Sequence, residues 1–125
     1  MQRVILGATG MSVSPIALGT MTFGDQVDPD TSYALLDLAV DRGINFLDTA
    51  NSYNAGLTEQ IIGQWLKAHG GRQQLMIASK LRYRVGDDPD SAGLSPKAIL
   101  QQLENSLKRL DTDYLDICFL HQPDD

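Results

Sequence analysis

Four short apolar runs constrain this chain more than anything else in it. They lie at residues 16–20, 44–47, 75–80 and 114–120, and the gaps between them carry apolar residues at helical spacing. A strand recurring every roughly 30 residues, with an amphipathic helix in each gap, builds a parallel sheet through right-handed crossovers. The runs are almost continuously apolar, as strands covered on both faces are. The expected fold class is α/β. Residues 3–13 precede the pattern and read as a hairpin, with Val4, Ile5 and Leu6 as a strand former and Gly7-Ala8-Thr9-Gly10 as the turn. That glycine pair matches neither G-x-G-x-x-G nor a Walker sequence, and no helix follows it, so a turn is favoured over a phosphate loop.

Helix boundaries follow from caps and stops. Asp28 or Asp30 caps the first helix with Pro29 in its first turn; Leu35, Leu36, Ala39 and Val40 form its apolar face and Gly43 ends it. Residues 58–69 form the second, with Ile61, Ile62, Trp65 and Leu66 on one face and Gly70-Gly71 as the stop. A polar loop over 82–94 leads to the third, capped by Ser95, opened by Pro96 and striped by Ile99, Leu103, Leu107 and Leu110. No low-complexity linker interrupts residues 1–125, which read as one unit without an internal boundary.

Charge and composition exclude several functions. Sixteen acidic residues against ten basic ones give a net charge of −6, the wrong sign for a nucleic-acid or anionic-membrane surface. No apolar run reaches the ~20 residues of a membrane span, and the first residues lack a signal-peptide core. A single cysteine, Cys118, fits a reducing cytoplasm. Neither histidine has Cys or His neighbours at ligand spacing, so no metal site is expected.

Each apolar run ends in a polar residue: Thr20, Asp48, Lys80 and His121. In parallel α/β folds these ends share one face, and in (β/α)₈ barrels that face carries the active site. Topology therefore predicts that Asp48, Lys80 and His121 converge, with Tyr53 on the loop after the second strand. A tyrosine has a reference pKa of ~10, and an ammonium beside a phenol favours its ionised form. Asp48 can pair with Lys80, and His121 can orient a substrate oxygen. Such a set protonates a developing alkoxide. No side chain donates hydride, so a nicotinamide cofactor is implied.

The ordered pieces resemble the aldo-keto reductases. They are Leu18-Gly19-Thr20-Met21-Thr22-Phe23-Gly24, Phe46-Leu47-Asp48-Thr49-Ala50 with Tyr53, and Glu59-Gln60-Ile61-Ile62-Gly63. Ser79-Lys80, Asp113-Tyr114-Leu115-Asp116 and Leu120-His121-Gln122-Pro123-Asp124 complete the set. The resemblance implies the hairpin and first four strands of a (β/α)₈ TIM barrel, incomplete in this chain, since a full barrel has eight. It implies a catalytic tetrad of Asp48, Tyr53, Lys80 and His121, with Tyr53 as proton donor, Lys80 and Asp48 as its tuning pair and His121 as the carbonyl-orienting residue. Thr20, Met21 and Asp48 are implied near the nicotinamide ribose of NADP(H), and the substrate is a small aldehyde or ketone. The loop between Ala50 and Glu59 is longer than in compact members of the family. Open edges of a half barrel invite self-association. Because some family members are channel-associated subunits, the alternative is a non-catalytic fragment or accessory subunit that keeps the scaffold.

The remaining polar and aromatic residues read as structural. His69 suits the C-terminal end of its helix, and Trp65 and Cys118 read as core. Arg82 and Arg84 read as a solvated loop rather than phosphate ligands. Asp116 reads as a buried, hydrogen-bonded carboxylate with no partner evident from the sequence.

Overall fold

The computed structural model describes residues 1–125. Strands β1 (Val4–Ile5) and β2 (Ser12–Val13) form the antiparallel hairpin. Strands β3 (Leu18–Gly19), β4 (Phe46–Asp48), β5 (Met76–Leu81) and β6 (Ile117–Leu120) form a parallel sheet in sequential order. Helices α1 (Pro29–Asp41), α2 (Leu57–His69) and α3 (Pro96–Leu110) fill the crossovers. The expected alternation is present in full.

Helices α1 and α3 start at side-chain caps. Asp28 accepts the Thr31 amide at 2.8 Å and Ser95 accepts the Ala98 amide at 3.2 Å, each with proline at the first helical position. The helices then pack on one side of the sheet. Leu47 and Ile77, paired across β4 and β5, meet Leu36, Ile61, Ile62, Trp65 and Leu110 in one buried cluster. Each fully buried side chain of this size contributes about 1.5–3 kcal/mol, more than any single helix propensity.

Asn45 fixes the hairpin to the N-terminal end of the sheet. Its Oδ1 accepts the Ser14 amide at 2.7 Å and its Nδ2 donates to the Ser12 carbonyl at 3.1 Å. The same end holds Asp116, whose Oδ2 accepts from Arg72 Nη2 and from the Ile77 amide, both at 2.9 Å. Arg72, lying before β5, is therefore the partner that the sequence left unnamed.

Two expectations are corrected. The buried face of α3 is Ala98, Gln102, Ser106 and Leu110, while Ile99, Leu103 and Leu107 are only half-buried. The helix is turned because Gln102 is tied down: its Nε2 donates to the Gly93 and Ala98 carbonyls, and its Oε1 accepts from Asn51 Nδ2 and the Arg82 amide. Cys118 is exposed rather than core, because β6 is the last strand of the sheet and has no neighbour beyond it.

Candidate active site

Parallel pairing of β3, β4, β5 and β6 carries their C-terminal ends to one rim. Gly19 stands opposite Asp48, and Lys80 opposite Phe119. At that rim Lys80 Nζ lies 2.9 Å from both carboxylate oxygens of Asp48, 2.9 Å from the Thr49 carbonyl and 3.1 Å from Tyr53 Oη. The ammonium is thus held between the carboxylate and the phenol. The Lys80 side chain is only 15% exposed, so its charge would be costly without that carboxylate.

Tyr53 is placed by the short 3₁₀ turn Tyr53–Gly56. Asn54 and Ala55 adopt φ of 49° and 54°, a left-handed conformation that reverses the chain ahead of α2. Asn54 Nδ2 anchors the turn by donating to the Phe23 carbonyl at 2.9 Å and the Met21 carbonyl at 3.1 Å. Thr58 Oγ1 donates to the same Phe23 carbonyl at 2.7 Å.

His121 follows β6, and its amide extends the parallel pairing by donating to the Leu81 carbonyl at 2.9 Å. Its ring centroid is 6.3 Å from that of Tyr53 and 4.9 Å from that of Tyr83, edge-on to both. Loss of solvation, with the Lys80 ammonium nearby, holds its pKa below the ordinary imidazole value; the Asp48 carboxylate opposes this. The ring is therefore biased to the neutral form, with one nitrogen free to donate.

All four tetrad candidates meet at this rim. Thr20 is fully buried and donates its hydroxyl to the Asp48 carbonyl at 2.9 Å, so it braces the end of β4 and presents no free hydroxyl. Met21 is exposed on the rim beside the Asn54 turn. Arg82 is not the solvated residue expected: its Nε donates to the Pro123 carbonyl at 3.1 Å. Arg84 bonds the Gly86 and Asp87 carbonyls of its own loop.

The sequence reading missed Asn54 and Tyr83. Asn54 carried a signal, since asparagine before Ala-Gly favours a left-handed turn. Tyr83 carried none, because its contact with His121 spans two separate loops.

A deeper network supports the rim. Glu59 is fully buried, accepting from Ser79 Oγ at 2.6 Å and from Arg109 Nε at 2.7 Å, which joins α2, β5 and α3 beside Lys80.

Residues 15–125 match the model of the aldo/keto reductase family. The chain belongs to the aldo-keto reductase family. It is 43% identical to an uncharacterized oxidoreductase, YrpG, of Bacillus subtilis, over 99% of this chain and 41% of that protein. It is 41% identical to a probable voltage-gated potassium channel subunit beta of Oryza sativa subsp. japonica, over 99% of this chain and 38% of that one. The holo form of an aldo-keto reductase from Bacillus halodurans superposes with a TM-score of 0.83 at 35% identity, over 94% of this chain and 39% of that structure. This aldo-keto reductase chain thus spans about two fifths of the length of the relatives it matches. Its four parallel strands are part of a TIM barrel.

Proposed function

We propose that the site carries out NADPH-dependent reduction of a small aldehyde or ketone to an alcohol. The observation behind this reading is the single Lys80 ammonium shared by Asp48 and Tyr53. The cofactor, when bound, supplies the hydride that reaches the carbonyl carbon. Tyr53 Oη delivers the proton to the carbonyl oxygen, so the carbon–oxygen double bond becomes an alcohol. Lys80 stabilises the phenolate left behind, and Asp48 holds Lys80 in place. His121, donating from its neutral ring, orients the carbonyl oxygen. Met21 and Asp48 would hold the nicotinamide nucleoside, with Thr20 bracing Asp48 from beneath. No helix is long and apolar enough to cross a membrane.

The test is NADPH oxidation, followed by absorbance, with a generic aromatic aldehyde. Because four strands supply little of a dinucleotide's contact area, these 125 residues alone are expected to bind NADPH weakly or not at all and to turn over weakly at most, and any activity is expected to fall about 10²-fold or more in Tyr53→Phe, the size of a lost proton donor. Activity indifferent to Tyr53→Phe would discard the assignment. A second reading rests on the 41% identity to the rice channel subunit: a scaffold kept as an accessory subunit. Soluble, folded protein without any NADPH oxidation would favour it.

A further inference from the structure

We infer that Arg82 and Tyr83 form a clasp that sets the orientation of the His121 imidazole, with Tyr83 as its positioning residue. The inference rests on the reading of His121 as the carbonyl-orienting group. A histidine with a directional task ordinarily has one ring nitrogen fixed by a hydrogen bond. Here Nδ1 of His121 is buried and has no protein partner. The main-chain bond to Leu81 places the residue but leaves the ring free to turn about its side-chain bonds. Orientation must then come from packing. Tyr83 supplies it, edge-on at 4.9 Å and 73°, closer than Tyr53 on the other flank at 6.3 Å.

The backbone shows how Tyr83 reaches that position. Arg82 has a φ of 136°, a region that L-residues rarely adopt and that persists only where the surroundings enforce it. Three segments enforce it. The Arg82 amide donates to Gln102 Oε1 on α3 at 2.9 Å, and its carbonyl accepts the Gly93 amide at 2.8 Å. Its Nε donates to the carbonyl of Pro123, two residues past His121. The guanidinium also lies 5.1 Å over the Tyr83 ring and 3.8 Å from Asp124 Oδ1. Asp124 is itself fixed, because its Oδ2 accepts the Leu94 amide at 2.8 Å. One strained residue therefore ties down the segment after His121 and swings the next side chain against its ring.

The titratable and charged groups around that ring are Lys80 on β5, Asp48 on β4, Tyr53 in the turn before α2 and Tyr83 itself; Arg82 and Asp124 lie behind it. The chain has two histidines, so His69 on α2 serves as an internal control. The experiment is a proton NMR pH titration of both imidazoles in the 125-residue chain. Wild-type His121 is expected to titrate below the ordinary imidazole value. In Tyr83→Ala its titration moves up toward that value and its Hε1 resonance shifts, while His69 does not respond. Tyr83→Phe, which keeps the ring, restores both readouts. Arg82→Gly, which accepts the backbone angle but loses the guanidinium grip, shifts the His121 resonance as Tyr83→Ala does. If Tyr83→Ala unfolds, Tyr83→Leu keeps the bulk without the aromatic edge and is expected to give the same His121 response. A His121 titration and resonance unchanged in any folded variant lacking the ring overturns the inference. Absent carbonyl reduction with His121 still responding to Tyr83 would remove the enzymatic reading and leave the clasp in place.

Discussion

His121 is where burial and function meet most directly at the residue scale. Its folded-state pKa lies below the ordinary 6.5, so between the two values the unfolded chain binds the extra proton. That linkage makes stability rise with pH through this window. The contribution is fully present above 6.5 and is lost as pH falls through the depressed value. Urea midpoints measured from pH 7.5 downward should therefore decline, and His121→Asn should flatten the decline. A slope identical in wild type and His121→Asn would place its origin elsewhere. Asp28 does not confuse the measurement. Its carboxylate is held below 3.8, chiefly by the Thr31 amide, so its share is lost only in a more acidic window. That Asp48, Tyr53, Lys80 and His121 meet was legible in the sequence because each stands at the end of, or in the loop after, an apolar run, and parallel topology brings such ends together. Asn54 was half-legible, as a turn former without an address. Tyr83 and the strained Arg82 were not, because a positive φ at an arginine is imposed by distant partners, Gln102 and Pro123, that no local pattern announces.

Among the elements, α3 shows what periodicity conveys and what it leaves out. The cap at Ser95 and the length of the helix were readable; its rotation was not. A leucine stripe implies which face is apolar, but the buried face is chosen by the partner. Here the partner is α2, which approaches so closely that a Cβ on Gly63 would overlap the Arg109 carbonyl oxygen and lie 2.9–3.0 Å from the Leu110 backbone. At the other end of α3 the rotation is held by the amide of Gln102, bonded to Asn51, Arg82 and Gly93. Gly63→Ala decides between two opposed effects. In an exposed helix the change gains roughly 0.5–1 kcal/mol. Against fixed backbone, overpacking costs about 1–3 kcal/mol. The backbone clash should prevail, giving a net fall in unfolding free energy in urea titrations, and a stabilised Gly63→Ala would mean that the two helices can separate at little cost.

For the whole molecule, the position of the site on the sheet limits how a ligand can be held. Small-molecule sites are ordinarily concave and enclose 70–90% of their ligand. Asp48, Tyr53, Lys80 and His121 lie instead on an open rim. The largest cavity, about 760 Å³, is lined by Arg72, Glu104, Leu107, Lys108, Asp111, Thr112 and Asp113, and no cavity touches Asp48, Tyr53, Lys80 or His121. The far side of the sheet is correspondingly uncovered at β6, where Phe119 is 45% exposed. Strand order and hairpin were legible from the spacing of the apolar runs; the openness of the rim was legible only as a count of four strands against eight. An open rim retains the proton-transfer geometry but little of the contact area that binds a dinucleotide. NADPH oxidation by these 125 residues should therefore rise linearly with cofactor concentration into the millimolar range, with Tyr53→Phe lowering the slope. Saturation at micromolar NADPH would show that the four strand ends, with Met21 and Asp48, already form a complete cofactor site.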